Sequence, residues 1–458
     1  MSYSASTSGA RDGETSSAQS VKIPGVTRLP PLPSRPTLAL VVAAACFVSA
    51  VVSAQRRDVF VLSRDHPAIR YTTGDLDNVV TRLNQRLASG AATLAYDAAS
   101  GNGYLRSLLE ALAVPVSSQT LVFSKTSFQA DLITMHNPRA LYFADAVAVG
   151  WVRGAEALEI AATDRRQGAV FYTLAQKAPA AGDAGVRLER KTDCLACHLS
   201  WDTLGVPGFM TTSMYPLPDD PNAYANGFTT MHGSPLEQRW GGWWVTGDTG
   251  GAQHMGNIPV MPEDKGVTRP RNPKAPLASV EMYVDQKGYP VPTSDVVALL
   301  VLNHQNHMTN LIARTGWEAR VAEAEPSANA ATRVREAASD LVDAMLFIDE
   351  APFAGPVKGS SGFAEWFAAQ GPKDAKGRSL REFDLRTRIF RYPCSYLIYG
   401  EAFDALPAAA RQAVYARLLD VLSGRDTRKV SQHLTVADRQ AILQILRETK
   451  RDLPDSFR

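Results

Sequence analysis

Residues 191–198 read Lys191-Thr192-Asp193-Cys194-Leu195-Ala196-Cys197-His198, and the rest of the chain is best read outward from the Cys-x-x-Cys-His they contain. Two thiols three residues apart fall on one helical turn, where each can add to one vinyl group of a porphyrin. The adjacent histidine then turns a ring nitrogen toward the iron from the same side. Other chemistries use part of this pattern. A structural zinc site needs four ligands, usually with a second Cys/His pair close by, and Cys394 is distant and alone. A thioredoxin-like dithiol has no use for the histidine. A disulfide between Cys194 and Cys197 is the plainest alternative. The spacing favours one covalent haem c, with Cys194 and Cys197 as the thioether positions and His198 as the proximal iron ligand.

A sixth iron ligand, if the protein supplies one, is Met or His in electron-transfer haems. Downstream candidates are Met210, Met214, Met231, His232, His254, Met255, Met261, His304, His307 and Met308. Met261 precedes Pro262 in a loop, a common setting for an axial methionine. His254 sits in the glycine-flanked stretch Gln253-His254-Met255-Gly256-Asn257. His304 shares a helical face with Leu300, Val301, Met308 and Leu311, which reads as a satisfied core histidine rather than a ligand.

On both sides of the motif the periodicity is mixed, giving an α+β fold. Residues 75–113 read as helical, with leucines spaced along DLDNVVTRLNQRL and YLRSLLEALA. Mixed strands come before the motif at Thr120–Phe123, Ala140–Phe143 and Gly168–Thr173, and one follows at Trp243–Thr246. Gly and Pro are densest between 205 and 293, a loop-rich middle expected to pack around the haem. From about residue 294 the chain is helical, in Asp295–Ala313, Ala331–Ile348, Pro407–Leu422 and Ala437–Glu448.

Residues 1–35 form a polar tail rich in Ser, Gly and Pro, expected to be disordered. Thr37–Ala54 then reads TLALVVAAACFVSAVVSA, 18 residues without a charge. That is near the lower limit for crossing a bilayer, and Val52-Ser53-Ala54 offers the small residues a signal peptidase accepts. Segment 36–54 is therefore either a signal peptide or a membrane anchor, and residues 55–458 form an exported, periplasmic domain. A net charge of +2 with no basic stripe gives no reason to expect nucleic acid.

Several blocks resemble an uncharacterised family of exported bacterial proteins with a single cytochrome c-type motif. They are Phe123–Gln129, Asn137–Phe143, Cys194–His198 with Gly205–Gly208, Arg239–Gly247, His254–Asn257 and Tyr392–Tyr396. The resemblance runs from about residue 118 to the C-terminus. It implies haem binding and redox character without a settled activity, and it puts His254 and Met255 ahead of Met261 as sixth ligand, with His254 the first choice. A second Cys-x-x-Cys-His is absent, so the activity of two-haem peroxidases does not carry over.

Around the motif, Arg239, Trp240, Trp243 and Trp244 read either as a haem wall or as an aromatic strand of the core. Arg139 reads either as a partner for haem propionates or as a turn residue, and Cys394 as an inert buried thiol. The expected function is an exported monohaem cytochrome passing electrons to an unidentified redox partner. The alternative is a haem-dependent oxidoreductase, peroxidase- or oxygenase-like, with an open sixth position.

Overall fold

Strict alternation of side chains builds the sheet that carries the site. In Ala157–Asp164 the residues Leu158, Ile160, Ala162 and Asp164 are buried, and those between them are half-exposed. A computed structural model describes residues 64–180, 185–214, 227–258, 276–428 and 433–457, within a unit beginning at Asp58. The polar tail (1–35), the apolar segment (36–54) and Met261 lie outside the described residues.

Nine strands are described: β1 Thr120–Val122, β2 Arg139–Ala144, β3 Val147–Trp151, β4 Ala157–Asp164, β5 Gly168–Ala175, β6 Glu189–Lys191, β7 Thr212–Ser213, β8 Phe228–Thr229 and β9 Trp243–Trp244. Seven pair antiparallel in the order β6-β5-β4-β3-β2-β1-β9, and β7 pairs with β8. The central run β2-β3-β4-β5 is a meander, because sequential antiparallel strands need only short turns, while β1 and β6 join it through longer connections.

One sheet face packs on the N-terminal helices α1 (Val79–Ala88) and α2 (Leu105–Ala111), burying Tyr142, Val149, Leu158 and Ile160 with Val80, Leu83, Leu105 and Leu108. Each such side chain contributes about 1.5–3 kcal/mol relative to exposure. Asn78 caps α1, its side chain accepting from Val80 N and Thr81 N. The single turn α3 (Leu195–His198) follows the edge strand β6.

The helical half consists of α4 (Val296–Ala324), α5 (Ala328–Met345), α6 (Phe363–Ala369), α7 (Glu401–Asp404), α8 (Ala408–Leu422) and α9 (Val436–Thr449). Helix α4 is buried along most of its length and belongs to the same apolar core as Val122, Phe143 and Trp243. Its fully buried N-cap Asp295 accepts from Val297 N and Ala298 N through Oδ1, and from Ser360 N and Ser361 N through Oδ2.

The α+β class is therefore as read from the sequence. The 75–113 helical reading resolves into α1 and α2, α4 runs past Ala313, and strands β3, β4, β6, β7 and β8 were not foreseen. Among the described residues, no helix is long and apolar enough to cross a membrane.

Candidate functional site

The residues of the motif come together on one short turn. Cys194 stands at the N-terminus of α3, Cys197 and His198 lie within it, and buried Leu195 ties the turn to the core. Both cysteines are free thiols, Cys194 half-buried and Cys197 exposed. Burial raises the Cys194 thiol, with a further push from the Glu159 carboxylate.

His198 is held by the loop that follows. Its Nδ1 lies 2.9 Å from the Gly208 carbonyl oxygen, and Gly208 N donates back to His198 O at 3.0 Å. A carbonyl only accepts, so Nδ1 carries the proton and Nε2 keeps its lone pair. That is the tautomer a metal-ligating histidine needs, fixed by a backbone partner. Burial also lowers the imidazole pKa, keeping the ring neutral. Phe171 of β5 supports the ring at a centroid distance of 4.7 Å.

The loop itself is clamped. Asn310 of α4 accepts from Phe209 N at 2.9 Å and donates to Phe209 O at 2.7 Å. A Cβ on Gly208 would stand 2.3 Å from Asn310 Oδ1, so the position needs glycine. Ala169 N donates to Pro207 O at 2.8 Å, and Gly168, at φ +83°, leaves room for that carbonyl.

Cys194, Cys197 and His198 line one cavity of about 420 Å³ between the sheet and α4, within the usual ligand-pocket range of about 300–1,000 Å³. Its floor is poor in side-chain bulk. Ala161 of β4 pairs directly with Ala148 of β3, and Gly150 lies two residues further along β3. Phe171 and Phe143 flank this strip, Leu302 and Asn306 come from α4, and Trp243 from β9. Arg139 of β2 and Glu159 of β4 form an ion pair on the same wall. A flat apolar group with an acidic edge fits this donor set: two thiols and a neutral imidazole, an apolar floor, and an arginine whose buried Nε has no partner. A larger cleft of about 610 Å³ lies elsewhere, lined by Asp75, Asp77, Arg165, Arg320 and Asp404, and holds none of the motif residues.

The sixth-ligand candidates separate clearly. His254 is not on the cavity wall. Its ring packs against Trp240 at 5.6 Å, and its Nδ1 accepts from Gly256 N at 3.0 Å. A backbone N–H only donates, so the neutral His254 ring carries its proton on Nε2, the opposite tautomer to His198. Met255 is buried, with its sulfur accepting from Ser213 Oγ. His304 is a core residue, bonded to Ser395 Oγ at 2.8 Å, 3.2 Å from His232 Nδ1, and stacked on Phe347 at 4.1 Å. Met210 is the methionine that lines the described wall.

The Arg239–Trp244 block divides. Buried Arg239 donates to the carbonyls of Ser234 and His232, and Trp240 donates to Asn303 Oδ1. Trp243 reaches the cavity, while buried Trp244 stacks on the exposed ring of Tyr283. Arg139 begins a strand instead of occupying a turn. Cys394 is fully buried, and burial pushes its thiol up to about 12. Sequence reading missed Phe171, Glu159 and Asn310. The period-2 burial of β4 could have placed Glu159 on the opposite sheet face from Leu158 and Ile160, whereas nothing local marks Asn310.

Among the described residues, no group of three or more His, Cys, Asp or Glu side chains is arranged to hold a bare metal ion. No family model matches the chain, and no curated protein or solved structure does.

Proposed function

We propose that this chain is an exported monohaem c-type cytochrome that transfers electrons, with the haem joined to Cys194 and Cys197 and ligated by His198. The observation that carries the proposal is the shared wall. Both thiols and a histidine with a free Nε2 line one cavity of about 420 Å³. When bound, the haem supplies a one-electron couple at its iron. The chain's part is to fix the imidazole through Gly208, exclude water with Phe143, Phe171 and Trp243, and hold charge at Arg139 and Glu159. Met210 is the side chain on the wall that suits a six-coordinate carrier. The proposed setting is periplasmic, with segment 36–54 acting as anchor or cleaved leader and a redox protein as partner.

A second proposal, a haem-dependent oxidoreductase with an open sixth position, is favoured by one observation. Arg139, Glu159, Ser127 and Gln129 give the wall a polar end. Optical spectra of the ferric protein and of the ferrous protein under carbon monoxide decide between them. Low-spin ferric haem that resists carbon monoxide supports the carrier. High-spin haem that binds it readily supports the oxidoreductase.

A further inference from the structure

The polar end of the cavity has a construction of its own. Arg139 lays its guanidinium over Gly150, where a Cβ would stand 2.7 Å from Nη2 and 2.9 Å from Nε. Nη2 pairs with Glu159, whose carboxylate also accepts from Ser127 Oγ at 3.0 Å. The Arg139 side chain remains 19% exposed, on the cavity wall. A guanidinium in a largely apolar wall is costly unless paired, and its planar fork suits carboxylates better than any other side chain does.

Register fixes where this end lies. Phe171, Ala161, Ala148 and Phe143 form one row across the strands, and His198 packs on Phe171. Glu159 and Gly150 form the next row, two residues further along the strands, or about 7 Å. The cavity is therefore amphipathic, with the imidazole and its flanking rings at one end and a fixed guanidinium at the other.

We propose that Arg139 anchors a carboxylate of the molecule held in this cavity, with Gly150 and Glu159 setting the guanidinium in place. This rests on the haem reading, in which the carboxylate is a haem propionate. A free small carboxylate would use the same chemistry.

The test uses the full chain matured with its haem, with Arg139→Gln, Arg139→Lys and Glu159→Gln compared for fold by circular dichroism. Arg139→Gln is expected to lower the midpoint potential, because a nearby cation favours ferrous iron, and Glu159→Gln to raise it. Arg139→Lys keeps the charge but loses the fork. Its potential should stay nearer that of the wild type, while the propionate bending band in resonance Raman shifts as it does in Arg139→Gln. That band shift assigns the propionate as the anchored group. A saturable Soret change on adding benzoate to the wild type, lost in Arg139→Gln, assigns a free carboxylate instead. Unchanged propionate bands together with no benzoate response overturn the proposal, even if potentials move, since charge alone then explains them. A wild type that lacks covalent haem fails the haem reading separately. Benzoate calorimetry then decides: binding that Arg139→Gln loses supports the anchor, and no binding overturns it.

Discussion

His198 and Gly208 are joined twice, by Nδ1–H to the Gly208 carbonyl at 2.9 Å and by Gly208 N–H to the His198 carbonyl at 3.0 Å. The first bond selects the tautomer and the second holds the loop against the helical turn. Asn310 grips the next residue, Phe209, from α4. The orientation of the imidazole thus depends on a residue more than 100 positions away in sequence.

Asn310→Ala removes the clamp and leaves the Phe209 N–H and C=O without their partners. A cost of about 1–3 kcal/mol in unfolding free energy is expected, measured by urea denaturation. On the proposed haem reading, the same variant should broaden the haem absorption bands as the imidazole loses its fixed setting. A variant with wild-type stability and spectrum would show that Asn310 does not position the loop.

Asp295→Ala is expected to be the more damaging change. The residue is fully buried and caps α4 while also accepting two backbone bonds from Ser360 and Ser361. Loss of an N-cap costs about 1 kcal/mol, and each further buried donor left unpaired about 1–3 kcal/mol. Thermal unfolding monitored by circular dichroism should show a lower Tm than for Asn310→Ala. Asp295→Asn, which keeps a cap acceptor, should recover part of the loss.

Stability should fall on acidification. Burial lowers His254 and His307 to about 4 and His232 to about 3, from an ordinary 6.5. Between about 6.5 and those values the unfolded state binds more protons, so stability is present above 6.5 and is lost as pH falls. Glu350 acts oppositely, because burial raises it to about 7 from 4.5 and its contribution declines as pH rises through that window. Three histidines outweigh one glutamate, each group contributing at most about 1.4 kcal/mol per pH unit. Urea midpoints measured from pH 4 to pH 7 should rise with pH. A flat or falling profile would mean that the buried histidines are not neutral in the fold.

On the proposed haem reading, His254→Ala should leave the spin state unchanged, because the ring faces Trp240 and carries its proton on Nε2. Met210→Ala should shift the ferric spectrum toward high-spin and speed carbon monoxide binding to the ferrous form. The reverse pattern would restore His254 as the sixth ligand and require its loop to move.

The motif, the C-terminal helices and the Asp295 start of α4 were legible in the sequence, because each is a local pattern of spacing or capping. Strand β4 was not, since Ala157-Leu158-Glu159-Ile160-Ala161-Ala162 has helix-favouring residues and only the sheet gives it a reason to extend. The cavity wall was only partly legible. Cys194, Cys197 and His198 are contiguous in the chain, but Arg139, Glu159 and Asn306 meet only through strand register and the docking of α4. His254 was favoured because its glycine-flanked loop belongs to a resembling block, and in the structure its ring packs on Trp240 and does not line the cavity.

The most direct test of the haem assignment is the intact mass of the denatured protein, produced with a c-type maturation system and exported. The wild type should carry the mass of one haem that survives denaturation and stains for haem on a gel. Cys194→Ala with Cys197→Ala should lose both signals. A wild type without the added mass, or a double variant that keeps it, would contradict haem attachment at these cysteines.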